Sequence, residues 1–186
     1  SKDLDTFCCN DSYLTGHVNS KVPGIEVATG SLGHGLPIAC GIALALKKSK
    51  SNSRVFTISS DGELDEGSVW ESVLFAPHHN LDNLNLVIDY NKIQSFGTTN
   101  EVLSLEPLSA KFESFNWSVS EIDGHNHAEL INTLSKTPVE KNKPSVIIAH
   151  TIKGKGVDFM EDKLAWHYKS PNVSELKDAI NQVNKS

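Results

Sequence analysis

Cysteine is scarce in this chain. There are three among 186 residues, two of them adjacent (Cys8, Cys9), which is too few for a disulfide framework and suits a reducing compartment. A vicinal pair with no second pair nearby is also a poor metal clamp. No apolar run reaches the length of a membrane span, and the opening SKDLDTFCC is too polar for a signal peptide, so a soluble cytoplasmic protein with no membrane partner is expected. Basic charge is short as well: 17 Lys+Arg stand against 23 Asp+Glu, a formal net charge of −6. That argues against nucleic acid as the main partner and leaves room for a local phosphate site. There is no internal repeat and no low-complexity run. What remains is ordinary: 38% hydrophobic and 22% charged residues, enough for a sizeable core in one domain spanning 1–186.

Residues 1–29 carry no long periodic segment and are expected to be irregular. GSLGHG (30–35) opens LPIACGIALALKK, apolar nearly all round, which predicts a buried helix. RVFTISS (54–60) is β-branched and predicts a strand. EGSVWESVLFAPHHN (66–80) places apolar residues at 69, 70, 73, 74 and 75 on one helical face, with Pro77 at or near the helix end. LNLVIDY (84–90) predicts a second buried strand. A helix around 106–115, strand WSVSEID (117–123), helix HAELINTLSKT (127–137) and strand PSVIIAHT (144–151) follow. The α/β core thus runs from about 30 to 151, with a C-terminal loop and the amphipathic SELKDAINQVNK helix in 152–186.

Short apolar strands alternating with helices define an α/β class: a mostly parallel sheet flanked by helices. Such sheets bind ligands at the carboxyl ends of their strands. Those ends read SDGELDEG, DYNKI, DGHNH and HTIKGKG, so polar and glycine-rich sequence collects where ligands are expected.

The first of these ends crowds four carboxylates (Asp61, Glu63, Asp65, Glu66) into six positions. Asp61 follows a strand and precedes Gly62, which lets the backbone turn and approach a ligand. Asn91 closes the next strand thirty residues later, the span of one strand–helix–strand crossover. Both side chains are therefore expected at the same edge of neighbouring strands. One carboxylate, one amide oxygen, a backbone carbonyl and phosphate oxygens form an all-oxygen set suited to Mg²⁺. A solvated acidic turn followed by a strand-ending Asn is the plain alternative.

Asp-Gly, about thirty residues, then Asn at the end of an apolar strand resembles the thiamine-diphosphate-binding motif, with Ser60 where that motif usually has its first Gly. TGHVNSKVPGIEVATGSLGHGLPIACGIALA (15–45), SDGELDEGSVWES and LDNLNLVIDYNKIQ resemble transketolase, in particular the stand-alone N-terminal subunit of split transketolases. HTIKGKGVDFMEDKLAWHYKSP (150–171) is similar to that subunit's ending. The resemblance implies a thiamine-diphosphate-binding fold that transfers a two-carbon ketol unit from a ketose to an aldose. It implies that Asp61, Asn91 and the Ile93 carbonyl hold Mg²⁺, and that Gly62, Asn91 and His167 contact the diphosphate. Gly30, Ser31 and Leu32 match the segment beside the cofactor's rings, and His34 stands where many relatives have Gln. His17 matches a histidine near the reacting hydroxyls, with Val18 in place of the family's Pro. Glu66 and Glu71 match carboxylates linking two active sites across a dimer, and His167 matches a histidine near the diphosphate that takes part in proton transfer.

Taken without the family, His17 and His167 are solvated loop residues, Glu66 is a first-turn acid that favours the helix dipole, and Glu71 is a surface charge. His78, His79, His125 and His127 are expected to be structural or on the surface, and Trp70 and Trp166 to pack. KGKG (153–156) is either a phosphate attractor or a mobile loop. No counterpart of the family's early Ser-Lys-Gly-His segment is found, so a domain shortened at its front, with an exposed apolar edge, is expected. The pyrimidine-binding domain is expected from a partner chain, in a homodimer or heterotetramer acting on sugar phosphates. Two alternatives stay open: another thiamine-dependent carbon–carbon ligase or lyase subunit, and a non-catalytic module that keeps the fold.

Overall fold

A computed structural model describes residues 3–185. Its centre is a parallel four-stranded sheet built from β1 (Val55–Ser60), β2 (Leu84–Tyr90), β5 (Ser118–Asp123) and β6 (Ser145–His150). Their order across the sheet is β1-β2-β6-β5. The register aligns Ser60 with Asp89 and Tyr90 with His150, so all four strands end along one edge. A small antiparallel hairpin, β3 (Ile93–Gln94) with β4 (Gly97–Thr98), hangs from that edge.

Helix α1 (Gly35–Lys48) packs on β1 and on α2 (Gly67–His78), and α4 (Leu108–Ser114) packs on β5. The main core fills the space beneath them. Ala39 and Ala43 of α1, Val69 and Val73 of α2, and Phe112 of α4 meet Leu84, Leu86 and Ile88 of β2 and Val146 and Ile148 of β6. Small residues let α1 lie close to the sheet and to α2, as an Ala-rich apolar helix predicts. The alternate residues of the strands face the other way. Ile122, Ile147 and Ala149 pack against Leu130 and Leu134 of α5 (His127–Ser135). Alternation of side chains across a pleated strand is what gives the sheet two apolar faces. β1 forms one edge of the sheet, and its Phe56 and Ile58 are 44% and 76% exposed.

Differences from the expected elements are confined to ends and short pieces. The helix expected around 106–115 is α4 at Leu108–Ser114, with Pro107 as its N-cap, and the 127–137 helix ends at Ser135. Pro77 sits in the last turn of α2. The acidic stretch is not an open loop: Gly62–Asp65 forms one turn of 3-10 helix. Residues 3–29 are irregular except for a 3-10 turn at Leu4–Thr6. The short helix α3 (Thr99–Val102) carries a capping box between Thr98 and Glu101. A final helix, α6 (Val173–Val183), is capped by Asn172 and clasps the preceding loop through Gln182, which bonds Asp158 at 2.8 Å. Cys8, Cys9 and Cys40 are free, and burial pushes the Cys40 thiol up to about 12.

Candidate functional site

The site is assembled where β1 and β2 end side by side. Asp61 leaves β1 with its carboxylate almost completely buried, 1% exposed. One oxygen accepts the N–H of Gly62 at 2.8 Å, and the other accepts the N–H of Lys92, the second residue past β2. Asn91, beside Lys92, turns its amide oxygen back onto the N–H of Ile93 at 3.0 Å, a local turn that fixes the start of β3. The Lys92 bond crosses between the adjacent strand ends, and the Ile93 bond shapes the loop after β2 on which Asn91 and Ile93 flank Lys92. Burial pushes the Asp61 carboxyl above its ordinary range. The Lys92 and Gly62 N–H groups and the Lys153 ammonium oppose that shift, while the Asp89 carboxylate adds to it. A carboxylate oxygen that accepts one hydrogen bond keeps a further lone pair, and so does a singly bonded amide oxygen. Among the described residues no group of three His, Cys, Asp or Glu side chains could hold a metal, so a cation here must be met by one carboxylate plus neutral and ligand oxygens.

A second strap reaches this corner from far along the chain. Leu164–His167 forms a 3-10 turn packed against β3. Burial, then the nearby Lys153 charge, lowers the pKa of His167 below its ordinary value, and its Nδ1 is buried with no partner. A buried, unpartnered ring nitrogen calls for a partner, either a water or a ligand group. The cavity at this sheet edge, about 470 Å³, is lined by Asn91, Ile93, Thr99, His150 and Asp162 among others.

The third component is the loop before α1. Gly30 adopts a φ of +146°, and a Cβ there would lie 2.6 Å from Cδ2 of His17, so these two residues are in direct contact. Ser31 and Leu32 are exposed beside them. His34 caps α1 without a side-chain cap bond, its ring nitrogen lying 3.0 Å from the Leu32 carbonyl. Gly33 tethers the loop to the acidic turn: its N–H donates to Glu63 at 2.9 Å, and its carbonyl accepts the Ser68 hydroxyl at 2.7 Å. Glu66, the N-cap of α2, packs its stem near Gly33, and Glu71 stands exposed one turn on. Gly62 is packed close to Gln94, whose amide bonds Asp65 at 2.9 Å. Trp70 stacks near Phe112 and Phe115, and Trp166 packs on Phe159, so both tryptophans serve packing.

Sequence reasoning overlooked Glu63 and Ser68 as anchors of the 30–34 loop, and it overlooked the β3–β4–α3 unit that shapes the cavity. The Thr98-x-x-Glu101 pattern was a usable sign of α3. Nothing local reveals that Glu63 reaches back thirty residues to Gly33.

A parallel α/β sheet with a buried carboxylate, neutral oxygen donors and an unpartnered histidine at its carboxyl edge belongs to the ligand-binding α/β domains. The chain belongs to the transketolase family: residues 1–183 match the family described as transketolase, thiamine diphosphate binding domain. It is 43% identical over 182 residues to an apulose-4-phosphate transketolase subunit of Actinobacillus succinogenes, covering 97% of this chain and 65% of that protein. It is 40% identical over 183 residues to the 6-deoxy-6-sulfo-D-fructose transketolase subunit SqwG of a Clostridium species, covering 98% of this chain and 66% of the relative. The fold superposes on transketolase from Campylobacter jejuni with a TM-score of 0.89 at 30% identity, over 98% of this chain and 30% of that one. The chain thus spans about two thirds of the subunit relatives it matches. None of the helices among the described residues is long and apolar enough to cross a membrane.

Proposed function

We propose that this chain is the diphosphate-binding part of a transketolase that transfers a two-carbon ketol unit between sugars, working in the cytoplasm with a partner chain that supplies the pyrimidine-binding domain. The observation that carries the reading is the bond from Lys92 N–H to the buried Asp61 carboxylate, which holds the two loops of the family motif together.

In this reading 1–186 acts as one domain. The donor set fits Mg²⁺: the Asp61 carboxylate, the Asn91 amide oxygen and the Ile93 carbonyl are hard oxygens, completed by those of a diphosphate. A divalent ion also relieves the cost of keeping Asp61 charged while buried. Gly62 and Asn91 lie at the diphosphate. Gly30, Ser31 and Leu32 lie along the rings of the cofactor. Thiamine diphosphate, when bound, supplies the electron sink that lets a carbon–carbon bond beside a carbonyl break and re-form.

The protein's own groups do the rest. His17, held against Gly30, faces the hydroxyls of the sugar. His167, kept neutral by burial and by Lys153, offers its free Nδ1 to receive or return a proton near the diphosphate. Glu66 and Glu71 project from the start of α2 toward a second active site across a homodimer or heterotetramer interface. The names of the two subunit relatives give one sugar a phosphate and the other a sulfonate. This supports a sugar with an anionic end as substrate.

Mixing experiments test the whole reading. The purified chain, its partner chain, thiamine diphosphate and Mg²⁺ are incubated with a ketose phosphate donor and an aldose phosphate acceptor. Ketol transfer that needs both chains supports the proposal. No transfer by the complete mixture, with thiamine diphosphate bound, turns the chain into a non-catalytic module.

A further inference from the structure

Glu63 meets none of the groups assigned to the cofactor or the sugar, yet its two carboxylate oxygens are spent on two different walls of the site. One oxygen accepts the Gly33 N–H at 2.9 Å, and the other accepts the Ser59 hydroxyl at 2.5 Å. Ser59 is a buried residue of β1, two positions before Asp61. Gly33 is buried and follows directly on the Gly30–Leu32 loop. Its other peptide atom is taken as well, because the Ser68 hydroxyl of α2 donates to the Gly33 carbonyl at 2.7 Å. The peptide is thus gripped from both sides by the segment that carries Asp61. The grip leaves no room for a side chain: φ at Gly33 is +81°, and a Cβ would lie 2.5 Å from the Ser68 hydroxyl and 2.8 Å from the Glu66 Cβ.

We infer that Glu63 is a positioning residue: with Ser68, it locks the Gly30–Leu32 loop to the Asp61 turn, so that the ring-binding and diphosphate-binding walls are set at a fixed separation before any ligand arrives. The inference rests on the thiamine-diphosphate reading only for which ligand profits. The lock itself is a property of the cofactor-free chain. A charged acceptor makes its hydrogen bonds stronger than neutral ones, and loops without secondary structure of their own depend on such tethers for order. A ligand that spans both walls then binds without first having to order the loop.

Two variants separate positioning from folding. Glu63→Ala removes both bonds. Glu63→Gln keeps an oxygen for the Gly33 N–H and offers an N–H to the Ser59 oxygen. Amide hydrogen exchange in the full-length, cofactor-free protein should show Gly33 protected in wild type, exchanging about tenfold or more faster in Glu63→Ala, and regaining most of its protection in Glu63→Gln. Calorimetric titration with thiamine diphosphate and Mg²⁺, the partner chain present, should show about tenfold weaker binding for Glu63→Ala with the core amides of β2 and β6 unchanged, and near-normal binding for Glu63→Gln. Ser68→Ala, which leaves Glu63 intact, should show a smaller loss in the same direction. Equal Gly33 exchange in wild type and Glu63→Ala overturns the lock. Faster exchange with unaltered thiamine diphosphate affinity overturns its role in positioning. A wild-type protein that binds no thiamine diphosphate even with its partner chain present sinks the proposed function, while Gly33 exchange still decides whether the lock exists.

Discussion

The Asp61 carboxylate accepts the backbone N–H of Lys92, thirty-one residues further along the chain. The bond spans the ends of β1 and β2, which lie side by side in parallel. Two polar loops that have no sequence contact are thereby held as one wall, and Asn91 and Ile93 flank the donor on either side. A buried carboxylate held this way costs folding energy as long as it stays charged, and that cost suits a site waiting for a cation.

The contact between Gly30 and His17 predicts a loss felt by both the cofactor and the sugar. Gly30→Ala places a Cβ against the His17 ring and strains a φ of +146°. The substitution should destabilise the fold by about 1–2 kcal/mol, read by urea denaturation. In the reconstituted enzyme it should raise KM for thiamine diphosphate, because Gly30 lies on the ring wall, and KM for the donor sugar, because the Cβ displaces His17. An unchanged KM for the donor sugar would remove His17 from the substrate side.

His167 gives a pH signature. Its folded pKa lies below the ordinary value of 6.5, first through burial and then through Lys153. The unfolded chain takes up this proton first as pH falls, so stability is undiminished above 6.5 and declines as pH drops from 6.5 through the lowered folded value. His167→Gln removes the titrating group. The gap in unfolding free energy between wild type and variant should therefore move against wild type between about pH 7.5 and about pH 5. A gap constant across that range contradicts a ring kept neutral by its surroundings.

Packing makes a third, site-independent prediction. Phe112 is fully buried between Trp70 and Trp117, with ring centroids 5.7 Å from each. Phe112→Ala should cost about 3–5 kcal/mol. Ile58→Thr, on the 76% exposed face of β1, should stay within about 0.5 kcal/mol of wild type. Thermal or urea unfolding of the two variants checks the contrast, and equal costs would mean the core has been misplaced.

The strands and long helices were legible because each is an apolar run or a periodic face long enough to show its period. RVFTISS and LNLVIDY appear as β1 and β2 with shifts of no more than one residue at an end. β3, β4 and α3 were not legible from periodicity, since two- and four-residue elements carry less than one full repeat. The adjacency of the Asp61 and Asn91 strands followed from spacing alone, because a crossover of that length returns to a neighbouring strand. The approach of the Leu164–His167 turn to β3 was not legible, since a loop's path over a surface leaves no local trace; the resemblance implied only a place for His167 near the diphosphate. Glu63 looked like one more solvated acid, and its role depends on a partner thirty residues away.

The central claim is that Asp61 waits for a cation that pins a diphosphate, and calorimetry of thiamine diphosphate binding tests it most directly. With its partner chain present, wild type should bind only when Mg²⁺ is added, and at a hundredfold excess over Kd it should gain about 2.7 kcal/mol of stability. Asp61→Asn should fold with a stability within about 1–2 kcal/mol of wild type, since burying a neutral amide offsets the loss of one backbone hydrogen bond. That variant should show neither the binding nor the gain. Binding that ignores Mg²⁺, or that survives Asp61→Asn unchanged, contradicts the account.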